Sequence, residues 1–238
     1  MNIALVFAGG RGLRMKNTER PKQFMEVEGK AVIIHALLCF ERHKEMDSIA
    51  VVCLEEWQDY LRSLIQKAGI TKVKWIVSGG DTGQESIYNG LKAIYEDCEE
   101  PKETVVLVSD GVRPYVSEGI ITENLSCVRS YGASVTVAYV PENIVEIDEK
   151  GMINRLPIRS NCMFAKAPQC FLLEDLMTAH RKAVIDKKIN FINSAELMNH
   201  YGYPMYVVVD SIDNLKITTQ TDLYTFSEII RRQEETEA

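Results

Sequence analysis

The alternation of apolar strands with helical segments along the first 140 residues is the feature that most constrains the fold. Four short runs rich in β-branched residues are each followed by a longer segment with helical spacing: NIALVFA, SIAVVCL, VKWIVSG and TVVLVS. Strands without polar positions are typical of parallel sheets that are covered on both faces. The order of elements therefore predicts an α/β fold, with a parallel sheet between helices and right-handed crossovers.

The regular alternation ends after ASVTVAYV. Residues 142–161 form two extended pieces around a Lys150-Gly151 turn, which predicts a hairpin arm. Helical spacing resumes in two stretches, LEDLMTAHRKAVID and SAELMNHYG. Two strands are predicted next, at PMYVVVD and NLKIT, and the last predicted element is a helix at TDLYTFSEIIRRQ. No repeat or linker interrupts the chain, so we expect one domain over 1–238 with a β-arm at about 142–161.

Composition excludes several classes of protein. Apolar residues make up 46% of the 238 residues and charged residues 26%, as in ordinary globular proteins. The net charge of −7 argues against a general nucleic-acid binder. The sequence has no signal-peptide pattern and no apolar run near the ~20 residues that span a bilayer. We therefore expect no membrane partner. The six cysteines are dispersed without a CxxC pair, so we expect buried thiols in a reducing cytoplasm.

The loop after the first strand, in ALVFAGGRGLRMKNTERPKQF, concentrates positive charge in an acidic chain. Its glycines are Gly9, Gly10 and Gly12, and its cations are Arg11, Arg14, Lys16, Arg20 and Lys22. Parallel sheets bind ligands at the carboxyl ends of their strands, where this loop lies. Glycines let backbone N–H groups approach an anion, so the loop predicts a polyphosphate cradle. The alternative is a glycine turn with solvated cations.

The spacing of the loop narrows the kind of polyphosphate. The loop lacks the GxxxxGK[ST] of a P-loop, and Met15 stands where the third glycine of GxGxxG would be. Clustered cations suit a triphosphate whose charge shifts during a reaction. Asp110 ends the strand TVVLVSD at the same edge, where a carboxylate is suited to hold Mg²⁺. The alternative for Asp110 is a turn or helix cap.

The motif AGGRGLRM…PKQF resembles that of nucleotidyltransferases acting on sugar or polyol phosphates, in particular the cytidylyltransferases of methylerythritol phosphate and ribitol 5-phosphate. The stretches SGGDTGQESI, VSDGVRPYV, LPIRSNCMFAKAPQCF and NLKITTQTDL agree in order and spacing, so the resemblance covers nearly the whole chain. It implies a Rossmann-like domain, a β-arm that forms a homodimer, and transfer of CMP from CTP to an alditol phosphate with release of pyrophosphate.

The resemblance also implies roles for matching positions. Arg14 and Lys22 match a catalytic arginine and lysine that would neutralise the α-phosphate and hold the leaving pyrophosphate, and Lys216 would lie near the same phosphate. The nucleotide pocket would be lined by Ala8, Gly9, Gly10, Gly12, Gly79, Gly80, Ser86 and Asp110.

Three positions are implied to serve the acceptor. Arg159, on the arm, matches an arginine that holds the acceptor phosphate in the neighbouring subunit's site. Arg113 matches a family arginine that orders its loop by pairing with carboxylates or binds substrate. Asp213 matches an acid on the substrate side or the metal side, where it would join Asp110 in holding Mg²⁺.

Departures from the family pattern leave the acceptor open. Ala167 stands where the family usually has threonine before Pro-Gln, and Asn193-Ser194 stand where it usually has an acidic residue. A third departure, Gly83 at a frequent arginine position, concerns the second glycine loop, which it would loosen. The resemblance is closer to the ribitol phosphate branch at four places: PKQFMEVEGKAVIIHAL, Trp57, LPIR and NLKITTQTDL. The alternatives are the methylerythritol phosphate enzyme of isoprenoid synthesis, a uridylyl- or other sugar-nucleotidyltransferase, and a regulator that binds nucleotide without chemistry. The intact Arg14, Lys22, Asp110 and Lys216 count against the last.

Overall fold

A seven-stranded sheet forms the centre of the computed structural model, which describes residues 1–10, 20–188 and 190–237. Its strands are β1 (Asn2–Ala8), β4 (Ser48–Cys53), β5 (Val73–Ser78), β6 (Val105–Asp110), β7 (Ala133–Tyr139), β10 (Met163–Leu172) and β11 (Tyr206–Val209). Two small hairpins pair β2 (Glu26–Val27) with β3 (Lys30–Ala31) and β8 (Glu146–Ile147) with β9 (Ile153–Arg155).

The strand order in the sheet is β11-β7-β10-β6-β1-β4-β5. β1 pairs in parallel with β4 on one side and with β6 on the other, in a register that sets Phe7 opposite Asp110. β10 is antiparallel to both β6 and β7, and its register shifts between Ala165 and Gln169. The prediction of a mostly parallel α/β sheet is therefore confirmed.

Helices cover both faces of the sheet. They are α1 (Val32–Arg42), α2 (Gln58–Lys67), α3 (Gly83–Glu96), α4 (Glu118–Tyr131), α5 (Leu173–Ile185), α6 (Ser194–His200) and α7 (Gln220–Glu237). One apolar core joins the sheet to α1, α2 and α4, with Phe40 and Leu125 fully buried. A second core joins the other face to α3, α5 and α6, with Leu91 and Leu176 fully buried. Two-sided burial explains why the central strands β1, β4 and β6 are mostly apolar.

Gly90 brings α3 close to the sheet. A Cβ at this position would meet the Leu5 and Val52 side chains at less than normal contact distance. The missing side chain therefore fixes how closely the helix packs on β1 and β4. The close packing also places the loop that precedes α3 at the carboxyl edge of the sheet.

The predicted arm is present as a small hairpin. Gly151, at φ +79°, makes the turn between β8 and β9, as the Lys150-Gly151 pair indicated. Large apolar side chains on and beside the hairpin are exposed: Val145, Ile147, Met152, Ile153, Leu156 and Ile158. A two-stranded hairpin is marginal in water by itself, so these side chains need a surface to cover them.

The structure lacks one predicted strand, and its strands β2, β3 and β10 were not predicted. The strand predicted at NLKIT is wrong, because residues 211–219 form an irregular segment held by a bond from Ile217 N–H to the Val112 carbonyl (2.8 Å). β10 was not predicted, since Lys166 and Pro168 interrupt its apolar pattern and proline argues against a central strand. One sheet takes strands from residue 2 to residue 209, and the single-domain organisation over 1–238 stays a prediction.

Membrane-spanning elements were searched for in the described ranges. None of the helices there combines the length and the apolar character that crossing a bilayer requires.

Candidate active site

The strand order reverses direction at β1, which locates the site. From β1 the chain passes to β4 and β5 on one side and then to β6 on the other. Such a switch point leaves a crevice at the carboxyl ends of the strands. Ala8 ends β1 and Asp110 ends β6, so the described start of the predicted nucleotide loop and the predicted metal ligand lie at the same edge of the sheet.

Two cavities open at this edge and share Phe7 and Gly83 in their walls. The first, here called the glycine cavity, has a volume of about 810 Å³ and is lined by Gly9, Gly10, Gly79, Gly80 and Ser86, among others. The second, here called the Asp110 cavity, has a volume of about 330 Å³. Its wall includes Asp110, Arg113, Ala167, Asn193, Ser194 and Lys216. Residues predicted from distant stretches of sequence thus line two adjoining cavities.

Ser86 holds the glycine loops together. Its hydroxyl is buried and accepts a hydrogen bond from Gly80 N–H at 3.0 Å. A Cβ would lie 3.2 Å from this oxygen if built on Gly9 and 3.1 Å if built on Gly79. Both loops therefore approach the serine at a distance that side chains would disturb, and their backbones face the cavity instead.

The start of α3 fixes the second glycine loop. Thr82 caps the helix by accepting a hydrogen bond from Glu85 N–H at 3.0 Å. Glu85 in turn accepts from Asp81 N–H at 2.8 Å, as in a capping box shifted by one residue. The helix N-terminus therefore borders the cavity with its capping groups already bonded.

Gln23 fixes the first loop and was not assigned a role from the sequence. Its side chain is 1% exposed and donates to the Ala8 carbonyl at 2.8 Å and to the Gly10 carbonyl at 3.3 Å. The signal was present in the quoted PKQF motif, next to Lys22. Lys22 begins a 3₁₀ turn, Lys22–Phe24, so the same turn carries the predicted catalytic lysine and the residue that holds the loop.

Asp110 lies between two cations. Lys216 Nζ donates to its Oδ1 at 2.6 Å and Arg113 Nε to its Oδ2 at 2.9 Å. Burial alone would raise the pKa of this carboxyl, but the charges of Lys216 and Arg113 and their hydrogen bonds outweigh burial and hold the pKa below its usual range. The cavity thus contains an anionic carboxylate with a buried guanidinium and a half-exposed ammonium group.

The irregular segment 211–219 positions Lys216. Asn214, fully buried, donates from Nδ2 to the Ala167 carbonyl and to Asp210, both at 2.7 Å. Lys166 Nζ donates to the Ser211 and Asn214 carbonyls, both at 2.9 Å. Sequence analysis gave neither residue a role, because their partners become neighbours only in the folded sheet.

Other predicted site residues lie elsewhere. The Asp213 carboxylate contacts Arg232 at 3.4 Å and is not in the wall of the Asp110 cavity, so the structure does not bring it to Asp110. Arg159 is exposed in the arm and donates to the Pro141 carbonyl at 3.3 Å. Lys22 is half-buried and lines neither cavity. Gly12 and Arg14 lie outside the described residues.

Arg113 has a structural explanation. It is 8% exposed, and besides its bond to Asp110 it donates a hydrogen bond from Nη1 to the Asn214 carbonyl at 3.1 Å. These contacts join the end of β6 to the 211–219 segment. The geometry therefore supports the predicted loop-ordering role, although Arg113 also forms part of the cavity wall.

The residues present fit Mg²⁺ in one way only. Within the described ranges no group of three or more His, Cys, Asp or Glu side chains is arranged to hold a metal. Asp110 offers one buried carboxylate, and Mg²⁺ is commonly held by one carboxylate together with substrate phosphates and water. The structure does not support a site shared by Asp110 and Asp213, because Asp213 does not line the cavity that contains Asp110.

Comparisons with known proteins agree on a family. The family model for IspD, 2-C-methyl-D-erythritol 4-phosphate cytidylyltransferase, matches residues 2–232. A ribitol-5-phosphate cytidylyltransferase of Vibrio parahaemolyticus is 45% identical over 98% of both chains. A 2-C-methyl-D-erythritol 4-phosphate cytidylyltransferase of Clostridium botulinum is 34% identical, covering 97% of this chain and 98% of its own. The 4-diphosphocytidyl-2C-methyl-D-erythritol synthase structure from Anaerococcus prevotii superposes with a TM-score of 0.81 at 25% identity, covering 97% and 96%.

Proposed function

The chain belongs to the IspD family of cytidylyltransferases, and from that premise we propose that it transfers CMP from CTP to ribitol 5-phosphate. The observation that carries the proposal is the pair of adjoining cavities at the β1–β6 crevice. The glycine cavity suits the nucleotide, because exposed backbone groups can read a base and approach phosphates closely. The Asp110 cavity is the place for the acceptor.

The reaction joins two anions. A phosphate oxygen of the acceptor attacks the α-phosphorus of CTP, a new P–O bond forms, and the bond to the pyrophosphate oxygen breaks. Lys216, beside Asp110, would neutralise the α-phosphate, and Lys22 and Arg14 would hold charge that grows on the leaving pyrophosphate. Gln23 and Ser86 act through the backbone, by fixing the loops that surround the nucleotide.

Asp110 is the residue that would hold Mg²⁺. When bound, the metal would supply positive charge to the phosphate oxygens. Both oxygens of Asp110 contact cations, so a metal would compete with Lys216 for the carboxylate. The Lys216 side chain is 40% exposed, which leaves it able to turn from Asp110 towards a phosphate. Lys216 would thus pair either with Asp110 or with a phosphate of the nucleotide, within one site.

Ribitol 5-phosphate is the preferred acceptor because of the similarity to named relatives. The relative of that name from Vibrio parahaemolyticus is 45% identical, against 34% for the Clostridium botulinum relative named for methylerythritol phosphate. The departures from the family pattern at Ala167, Asn193 and Ser194 line the Asp110 cavity, so they bear on the acceptor without identifying it.

A homodimer is part of the proposal. The exposed apolar side chains of the arm need a covering surface, and a second copy of the same arm gives a self-complementary one. Within one chain Arg159 does not line the Asp110 cavity. In the proposed dimer, the arm of one subunit would bring Arg159 to the acceptor phosphate in the site of the neighbouring subunit.

We also place the enzyme in the cytoplasm. All six cysteines are free, which fits a reducing compartment. Burial raises the pKa of the Cys53 thiol to about 11, so this cysteine stays a protonated, unreactive thiol.

Pyrophosphate release tests the proposed reaction. Purified protein is incubated with Mg²⁺, each nucleoside triphosphate in turn, and ribitol 5-phosphate or 2-C-methyl-D-erythritol 4-phosphate. We expect turnover with CTP and ribitol 5-phosphate, and at least tenfold less with UTP or with the methylerythritol compound. Preferred turnover of the methylerythritol phosphate would assign the enzyme to isoprenoid synthesis, and release with neither acceptor would favour a nucleotide-binding regulator.

A further inference from the structure

Two residues that line the Asp110 cavity each have a buried side-chain polar atom without a hydrogen-bond partner. The atoms are Nε2 of His180, whose residue is 2% exposed, and Oγ of Ser194, whose residue is 3% exposed. Among the described residues one further side-chain atom, Oγ of Ser109, is buried and unpaired, but Ser109 does not line this cavity. Buried polar groups are paired in most proteins, so two unpaired atoms around one cavity need an explanation.

The His180 ring is fixed in place by stacking. It lies parallel to the Tyr88 ring, with centroids 5.3 Å apart and planes inclined by 4°. Lys92 Nζ lies 5.0 Å from the centroid of Tyr88 and adds a cation–π contact to this aromatic ring. Because one face of the imidazole is stacked, its hydrogen bonding is left to the ring nitrogens, of which Nε2 has no partner. Burial lowers the pKa of His180 to about 4, so the imidazole is neutral at physiological pH and can donate or accept one hydrogen bond at this atom.

Ser194 is held at the same wall by its neighbours. It is the first residue of α6, whose N-terminus Asn193 caps by accepting from Glu196 N–H at 2.9 Å. Gln169 on β10 accepts from Ala195 N–H at 2.9 Å and fastens α6 to the sheet. The polar groups of Asn193 and Gln169 thus already have protein partners, whereas the Ser194 hydroxyl has none among the described residues.

We infer that His180 Nε2 and Ser194 Oγ bind hydroxyl groups on the carbon chain of the acceptor and thereby select a polyol long enough to reach them. The inference rests on the proposed function. Ile87, Val108 and Leu197 line the same cavity and offer a ligand hydroxyl no hydrogen bond. A hydroxyl both donates and accepts, which matches a neutral imidazole and a serine whichever tautomer the ring adopts.

The two ends of the acceptor are then recognised by different kinds of residue: charged residues bind its phosphate, and neutral residues bind its polyol chain. The acceptor phosphate is an anion and belongs with the cations Arg113 and Lys216 of the same cavity. The polyol is neutral and belongs with neutral partners. An acceptor without the outer hydroxyls would leave His180 and Ser194 unpaired as they are in the free protein, so it would lack the free energy of these hydrogen bonds and bind more weakly.

The test compares a long and a short acceptor in matched variants. Ser194→Ala removes one hydroxyl, and His180→Phe removes Nε2 but keeps a ring that can stack on Tyr88. Ser109→Ala is the matched control, because it removes an equally buried and unpaired hydroxyl outside the cavity. For each protein we would measure kcat/KM for ribitol 5-phosphate, KM for CTP, the inhibition constant of glycerol 3-phosphate and the melting temperature.

We expect kcat/KM for ribitol 5-phosphate to fall about tenfold in Ser194→Ala and in His180→Phe, the loss of about one hydrogen bond. The KM for CTP and the inhibition constant of the shorter glycerol 3-phosphate should stay within about twofold. Ser109→Ala should match the wild type in all three. Should His180→Phe fail to fold, Ser194→Ala carries the test alone.

An unchanged kcat/KM for ribitol 5-phosphate in Ser194→Ala would overturn the inference, as would an equal loss for the long and the short ligand. Failure of the proposed function gives a different result, because the wild type would then prefer 2-C-methyl-D-erythritol 4-phosphate in the acceptor panel. The same variants would in that case be compared on that acceptor, which also carries outer hydroxyls.

Discussion

Replacing Asp110 by asparagine should destabilise the protein more than any comparable change of a surface carboxylate. The side chain of Asp110 is 9% exposed and pairs with Arg113, whose side chain is 10% exposed, at 2.9 Å. Asparagine has nearly the same shape and keeps one acceptor oxygen, but it removes the negative charge. The guanidinium of Arg113 would then be buried without a counter-charge.

The magnitude follows from the burial of the two cations. Breaking a buried ion pair by removing one partner costs about 3–5 kcal/mol, because the remaining charge stays out of water. Lys216 is 40% exposed and can be rehydrated, so its share is at most about 1 kcal/mol. We therefore expect a loss of about 3 kcal/mol. For a chain of 238 residues this lowers the melting temperature by about 6–12 °C.

Asp213→Asn provides the control for this measurement. Its carboxylate pairs with Arg232 at 3.4 Å, and the two side chains are 37% and 58% exposed. Exposed pairs contribute about 0–1 kcal/mol, so the melting temperature should fall by no more than about 4 °C. Scanning calorimetry of wild type and both variants at neutral pH makes the comparison.

The pH dependence gives the same prediction an independent check. The pKa of Asp110 is lower in the folded protein, so its contribution to stability is present above the unfolded value near 3.9 and is lost as the pH falls through the folded value. The difference in melting temperature between wild type and Asp110→Asn should be constant from about pH 5 upwards and shrink below about pH 4. A variant as stable as Asp213→Asn, or a difference that persists undiminished at pH 3, would refute the reasoning.

Three further changes test the site. Lys22→Ala should lower kcat by on the order of 10²–10³ with little change in melting temperature, because the residue serves the ligand; an active variant would contradict its role. Gln23→Met should raise the KM for CTP about tenfold and leave that of the acceptor unchanged, because the Ala8 carbonyl loses its donor; equal effects on both substrates would indicate general unfolding. Mixing inactive Lys22→Ala with inactive Arg159→Ala should restore activity once subunits exchange, since one site of a hybrid dimer is then intact; no recovery after verified exchange would place Arg159 in its own chain's site.

The parts of the fold that follow from local pattern were predictable from the sequence. Apolar strands alternating with helices identified the parallel sheet, and the Lys150-Gly151 pair identified the hairpin turn. Asp110 could be placed at the ligand edge because it directly follows a strand of that sheet. Each of these inferences needs only neighbouring residues and one general rule about parallel sheets.

The supporting contacts of the site could not be predicted in the same way. Asn214 bonds the Ala167 carbonyl, a partner 47 positions earlier in the chain. β10 carries Pro168 in its middle and still pairs with two strands, because the proline lies in the register shift between Ala165 and Gln169. The side chains that hold the 211–219 segment are therefore visible only once the sheet has been assembled.

The positions that depart from the family pattern lie together in the folded chain. Gly83, Ala167, Asn193 and Ser194 come from three separate stretches of sequence, yet all four line the Asp110 cavity. Of these, Gly83 alone also borders the glycine cavity, where Gly9, Gly79, Gly80 and Ser86 match the family. The common location of the four departures favours a nucleotide kept and an acceptor altered. The unpaired His180 and Ser194 lie in that same cavity, where a polyol rather than a base would meet them.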